Sequence, residues 1–179
     1  MTKKRCGWVE GKEEIYIKYH DEEWGVPKYD DDILFEMLIL EMFQSGLSWI
    51  TILKKREAFR NAFDNFDIEK IMEYGESKVN ELLENEGIIR NRLKIEATIN
   101  NAKIFREIQN EYGSFSAFIW SYTGGEIIKA EYKSKSELSE KISKDLKKKG
   151  MKFVGPTIIY SYLESIGIID NHTTECFKY

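Results

Sequence analysis

The chain has two cysteines and two histidines, and all four sit at its ends. Cys6 and His20 fall within the first twenty residues, and His172 and Cys176 within the closing "DNHTTECFKY". Thiolate and imidazole are ligands that zinc prefers, and a structural zinc site takes four such groups and closes. The supply makes one four-ligand set with nothing left over. The long gap between the pairs matches no compact finger pattern, so spacing alone leaves two readings: a zinc clip, or two small buried thiols beside ordinary histidines. A disulfide between Cys6 and Cys176 would close a very long loop and stabilise by about 4–5 kcal/mol. A cytoplasmic setting and the two accompanying histidines argue against it. Four protein ligands leave no position for water, so a zinc held this way would be structural rather than catalytic.

Other residues with chemical potential are a carboxylate, a group of aromatics and a lysine-rich turn. Glu41 has Leu34, Met37 and Leu38 on its own helical face, and a carboxylate in such surroundings needs a hydrogen-bond partner or a cation. Glu36 lies in the same apolar stretch, and periodicity does not separate the two. Trp8, Tyr16, Tyr19, Trp24 and Trp49 crowd the first fifty residues. Aromatic faces stack on bases and attract a cationic ring. Singly each is ordinary core; together, beside the metal-type ligands, they would line a pocket. In "DLKKKGMKFVGPTIIYSYLESIG" a basic helix runs into Gly150, a short apolar turn, and Gly155-Pro156 opening another helix. Glycine admits a phosphate close to the backbone, a helix start offers free N–H groups, and Lys147, Lys148, Lys149 and Lys152 add charge. A solvated lysine face on an ordinary turn is the alternative. The basic groups at 54–56 and 90–92 would flank the same backbone or do nothing.

Helices must position these groups. "DDDILFEMLILEMF" opens with acids and runs apolar, and "SWITILKKREAFRNAF" starts at a possible Ser48 cap. "DIEKIMEYG" and "ESKVNELLENEG" are short and end in glycine. "RLKIEATINNAKIFREIQNEYG" repeats Ile95, Ile99, Ala102 and Phe105 at helical steps. "FSAFIWSY" follows. "SELSEKISKDLKKKG" carries the capping-box pattern Ser134–Glu137, and "PTIIYSYLESIG" has proline in its first turn. The pattern predicts about eight helices with short loops, and a loop over 123–135. A length of 179 residues suits one domain of two helical lobes. Net charge is −4, which argues against a bulk polyanion binder but not against a local basic patch. No leader-like apolar run follows "MTKKRCGW", and no stretch approaches a membrane span, so the expected location is the cytoplasm, with Met1 as a native start.

The motifs "RCGWV", "YHDEEWGVP", "LFEMLILE", "SGLSWITILKKRE", "GIIRNR", "KKKGMKFVGPTIIYSYLESIG" and "DNHTTEC" resemble the 3-methyladenine DNA glycosylase I family. They run in family order from Arg5 to Cys176, with weaker similarity around 60–80 and 110–140. The resemblance implies an all-α fold of the helix–hairpin–helix glycosylase superfamily. Its helix–hairpin–helix would lie at about 137–166, and a zinc-binding unit would join residues 1–25 to 167–179. It makes Cys6, His20, His172 and Cys176 the ligands of one structural Zn2+. It assigns Glu41, Tyr19 and Trp49 to the base pocket with Trp8, Tyr16 and Trp24 around them, and so ranks Glu41 above Glu36. The "QSGLSW" turn would enter DNA, with Gly46 at its bend and Leu47 as the wedge. Gly155 and the four lysines would hold the phosphate backbone. Met42-Phe43 departs from the Gly-Gln of some members, which alters the pocket floor. Many superfamily glycosylases carry a catalytic aspartate two residues before a histidine, a function this family is described as lacking. Asp170 stands there and joins Glu41 as a catalytic candidate with an open role.

The implied activity is hydrolytic removal of 3-methyladenine from alkylated double-stranded DNA by a monofunctional, monomeric glycosylase, with free 3-methyladenine as product. Two rivals are weighed against it. A non-catalytic DNA-binding module with structural zinc explains the hairpin but not a carboxylate enclosed among tryptophans. A zinc hydrolase requires an exchangeable ligand position, which four protein ligands deny.

Overall fold

Helix α2 (Asp31–Gln44) is apolar on every side, with nine of its fourteen residues buried, so it must be surrounded. Asp30 caps it, accepting from the N–H groups of Asp32 and Ile33. In the computed structural model, which describes residues 3–179, α3 (Trp49–Ala62), α6 (Arg92–Tyr112), α7 (Phe115–Ser121) and α9 (Pro156–Ser165) pack around α2. Asp31 turns outward to accept from the N–H groups of Phe115 and Ser116, fixing the start of α7 against α2. Short helices α4 (Ile68–Met72) and α5 (Glu76–Glu84) lean on α6, and α8 (Glu137–Lys148) packs on α9. One apolar cluster runs through these elements. Met1 and Thr2, the outer edge of the expected zinc-binding unit, lie outside the described residues.

The helical expectation holds, with local corrections. Helix α1 (Glu14–Glu22), which carries Tyr19 and His20, was not among the expected helices; its exposed face is strongly charged, and no side chain caps its start. Within the expected loop, β1 (Ile128–Lys129) pairs in parallel with β2 (Ile169–Asp170), a ladder too short to leave a period in sequence. The capping box of α8 is Ser136 with Ser139 rather than Ser134 with Glu137: each serine hydroxyl accepts from the other residue's N–H. Ser48 does sit at the cap position of α3, but its hydroxyl meets Thr51 Oγ1 at 2.8 Å and caps no backbone N–H.

Backbone contacts draw the two ends together. Gly25 N–H donates to Glu164 O, Lys28 N–H to Ile166 O, and Phe177 N–H to Lys4 O. The Lys28 ammonium donates to the carbonyls of Glu23, Val26 and Ser165, and burial lowers its pKa to about 8. Gly25 has φ +70°, and a Cβ there would lie 2.7 Å from His172 Cε1. Gly167 has φ +78°, and its Cβ would lie 2.4 Å from Pro27 N. Both conformation and space demand glycine where the N-terminal segment crosses the end of α9.

Candidate active site and metal centre

The ends of α1, α2 and α9 and the start of α3 enclose a cavity of about 510 Å³. Every expected pocket residue lines it: Glu41, Tyr19, Trp49, Trp8, Tyr16 and Trp24. Tyr19 and Trp49 face each other with ring centroids 5.3 Å apart, and Trp8 stands edge-on to Tyr16 at 5.1 Å. Glu41 is only 3% exposed, and its Oε2 is fully buried with no hydrogen-bond partner among the described residues. Trp49 Nε1 is likewise buried and unpartnered. Burial holds the Glu41 carboxyl well above the usual carboxylate range, and the nearby charge of Glu164 adds to this. The same burial, with Glu41 behind it, raises Tyr16 and Tyr19, so both phenols stay neutral.

Glu36, the competing carboxylate, is occupied elsewhere. Its oxygens take the guanidinium groups of Arg56 at 2.7 Å and Arg60 at 2.8 Å, and Arg56 also binds Glu23. A carboxylate with two arginines is a structural ion pair, whereas Glu41 Oε2 faces the cavity with no protein donor among the described residues.

Sequence reasoning missed a second pocket carboxylate. Glu164 on α9 lines the cavity, is 6% exposed, and accepts from Asn171 Nδ2 at 2.5 Å. Burial pushes its pKa up to about 7, opposed by that hydrogen bond. The available signal was an acid in the apolar run "IIYSYLES", the same signal that marked Glu41. Gln44, Ser161 and Asn171 add polar groups to the wall.

The metal-type ligands meet beside the aromatic wall. The ligand atoms of Cys6, His20 and Cys176 lie within 4.8 Å of one another, all three residues being buried. Cys176 Sγ is 3.5 Å from His20 Nε2, and both cysteines are free thiols, so no disulfide joins the ends. His172 stands next to this triad rather than within it, its ring centroid 5.2 Å from that of His20. Its Nε2 is buried without a partner among the described residues. In both histidines a carboxylate holds Nδ1: Asp21 at 2.8 Å for His20 and Asp170 at 2.6 Å for His172. That fixes the tautomer so that each Nε2 carries a free lone pair, as metal-binding histidines require. Burial lowers the pKa of His20, which favours the neutral ligand form. Trp8 and Trp24 touch both sites, their rings 5.3 Å from His20 and 4.6 Å from His172 respectively.

Asp170 does not line the cavity. Its Oδ1 is committed to the ring and backbone N–H of His172, and its Oδ2 lies 3.9 Å from Lys129 Nζ. Gly46 and Leu47 are exposed at the turn between α2 and α3, and Lys147, Lys148 and Lys152 are exposed around the α8–α9 turn. Lys149 differs from them: it pairs with Glu111 at 2.6 Å and sits over the Tyr112 ring. A Cβ on Gly155 would meet nothing within 4 Å, so internal packing does not demand glycine there. The other basic groups are engaged within the protein. Lys54 pairs with Glu13, Lys55 binds two carbonyls, and Arg92 pairs with Glu76. Arg90 approaches Glu86 at 4.0 Å. Among the described residues no helix is long and apolar enough to cross a membrane.

The model of a family described as methyladenine glycosylase matches residues 8–179. The chain is 43% identical over 178 residues to the DNA-3-methyladenine glycosylase of Haemophilus influenzae, covering 96% of each. A crystal structure of a 3-methyladenine DNA glycosylase I superposes with a TM-score of 0.93 at 44% identity, covering 97% of this chain and 98% of that one. A variant of such an enzyme, crystallised in complex with 3-methyladenine, superposes with a TM-score of 0.92 at 38% identity, covering 97% of this chain and 96% of its own.

Proposed function

Since the chain belongs to the methyladenine glycosylase family, we propose that its roughly 510 Å³ cavity holds the extruded 3-methyladenine, with Glu41 as the group that reads it. The protein is a base-excision glycosylase that removes 3-methyladenine from DNA. The observation that carries the site assignment is the unpartnered Glu41 Oε2, buried in an aromatic cavity. A folded protein rarely leaves such an oxygen without a donor unless a ligand provides one.

Methylation at N3 places a positive charge on the adenine ring and weakens its bond to the sugar. When that bond breaks, its electron pair goes to the base, the ring charge is discharged, and the base leaves neutral. Water adds to the sugar carbon and gives up a proton. A general acid has little to do, because departure itself removes the charge. The protein must therefore extrude the nucleotide, at a cost of a few kcal/mol, and hold it. The positive charge of the methylated ring offsets the cost of ionising the buried Glu41, which as a carboxylate accepts a hydrogen bond from the adenine edge and favours the cationic form. Trp49 and a neighbouring aromatic stack on the ring, contributing about 1–3 kcal/mol, and Tyr19 adds a polar contact. Glu164 places a second carboxylate on the same wall.

The turn at Gly46 and Leu47 serves as the element that enters DNA. Helices α8 and α9 serve as a helix–hairpin–helix, with Lys147, Lys148, Lys152 and the open Gly155 at the phosphate backbone. Lys149, already paired with Glu111, adds less charge there than its neighbours. The residues at the two ends fit a zinc ion, which Cys6, His20, His172 and Cys176 would hold. It would supply a cross-link between the terminal segments and no reactive position. Asp170 orients His172 in this reading, a role its hydrogen bonds support better than one in catalysis. Methylated duplex DNA incubated with the protein should release 3-methyladenine, identified by chromatography. Release that persists at full rate when Trp49 and Glu41 are both replaced would refute the site assignment.

A further inference from the structure

Helix α6 contributes nothing to the cavity wall, yet it buries three polar side chains; Thr98 bonds back to Lys94 O within the helix, and the other two reach out of it. Lys94 is 6% exposed and Asn101 is fully buried. They are seven residues apart, so they lie on one face of the helix about 10.5 Å apart along its axis. Lys94 Nζ donates to Phe43 O at 2.9 Å and Ser45 O at 2.8 Å, where α2 gives way to the Leu47 turn. Asn101 meets the α8–α9 turn with both ends of its amide. Its Nδ2 donates to Lys152 O, and its Oδ1 accepts from Lys152 N–H, both at 2.9 Å. Asn100 adds a bond from Nδ2 to Gly150 O at 2.9 Å.

These contacts are costly to build. Lys94 has no carboxylate partner among the described ion pairs, so only carbonyl dipoles offset the burial of its ammonium. A helix end rarely needs that, because water or a following glycine satisfies its carbonyls cheaply. What the two contacts share is the pair of turns they grip. Each carries an exposed apolar residue: Leu47 is 40% exposed and Phe153 is 37% exposed. Phe153 also has φ +56°, in the left-handed region that non-glycine residues seldom occupy. Backbone strain of this kind is costly and collects at functional sites.

We propose that Lys94 and Asn101 are positioning residues. Through them α6 sets the separation of the Leu47 turn and the Lys152–Phe153 turn, so that both engage one DNA duplex at once, Phe153 included. The inference rests on the reading that these two turns meet DNA. Rigid linkage matters because the second contact then forms without a further ordering cost. Releasing either turn forfeits that gain, and releasing the other afterwards forfeits little more.

This non-additivity provides the test. Lys94→Met, Asn101→Leu and the double variant are made in the full chain. Excision from methylated duplex DNA (kcat/KM), affinity for free 3-methyladenine by calorimetry, and thermal melts are then measured. Each single change should lower duplex excision about ten- to a hundredfold, the scale of a misplacement near 1 Å. Free-base affinity should stay within about threefold of the parent for Asn101→Leu, since Asn101 does not line the cavity. The double variant should fall no further than the worse single, while the melting shifts add, as expected for sites about 10 Å apart. Excision losses that multiply as the melting shifts add would reduce both residues to ordinary structural ones and overturn the proposal. If Asn101→Leu does not fold, Asn101→Asp keeps the acceptor for Lys152 N–H and should give an intermediate loss; unchanged excision there also counts against the proposal. Phe153→Gly suits the observed backbone, so its melt should hold or rise while duplex affinity falls several-fold; unchanged affinity removes Phe153 from the interface. Leu47→Ala and Lys147→Ala/Lys148→Ala serve as controls. If they too leave duplex binding unchanged, the DNA-facing surface itself is misassigned. If they weaken it while the α6 variants do not, the spacer alone fails.

Discussion

Glu41→Gln tests the base pocket most directly, because it nearly preserves volume while removing the ability to ionise against a cationic base and turning one acceptor into a donor. Glu41 Oε2 has no partner, and the residue is 3% exposed. A bound base would therefore supply the donor that no described residue gives this oxygen. A hydrogen bond to a charged group is worth about 1.5–3 kcal/mol, which corresponds to a ten- to hundredfold loss of affinity for free 3-methyladenine. Excision from DNA should fall as well, by a smaller factor, since this lesion is intrinsically labile. Stability should move the other way. Burial raises the folded-state pKa of Glu41 above its unfolded value, so the native protein binds the extra proton and loses stability as pH rises between the two. Glutamine does not titrate, so the variant should melt at or above the parent temperature, with the larger gain at pH 8 than at pH 5. Calorimetry with the free base, beside melts at both pH values, gives the answer. Undiminished base affinity in a folded, more stable Glu41→Gln protein would refute the reasoning and leave recognition to the aromatics.

Protein purified without added metal should carry one zinc per chain, and Cys176→Ser should lower the melting temperature more than it alters base preference. Metal analysis giving less than a tenth of an equivalent in fully folded protein would defeat this expectation. Replacing Lys147 and Lys148 with alanine should weaken duplex binding for all sequences alike and reduce the slope of log affinity against log salt by about 2, measured by a salt titration. Lys149→Ala should change the slope less, because Glu111 already holds that ammonium. Glu164 has a folded-state pKa of about 7 against a usual 4.5, so it costs the fold nothing below pH 4.5 and increasingly more as pH rises through 7. Glu164→Gln should recover up to about 3 kcal/mol at pH 8 and almost none at pH 4, read from denaturant melts.

Much of the molecule was legible in the residues alone because helices announce themselves locally. The apolar period of α6, the acids before α2 and the proline opening α9 each act within one or two turns of chain. The meeting of Cys6, His20 and Cys176 was legible because cysteine and histidine are scarce here, and the residues lining the cavity because their motifs resemble a family in order and spacing. Neither signal reports where charges find partners. Glu36 and Glu41 sit in one apolar helix, and periodicity could not rank them; α3 decided it by bringing Arg56 and Arg60 to Glu36 and leaving Glu41 Oε2 bare. Lys149 read like its neighbours until Glu111 of α6 claimed it, and nothing in the sequence marked Lys94 as the lysine that the end of α2 buries. Asp170 stood at a catalytic-looking spacing, and the fold turned it toward His172. An ion pair or a buried hydrogen bond depends on groups tens of residues apart arriving within about 3 Å, and only the packing of whole helices sets those distances.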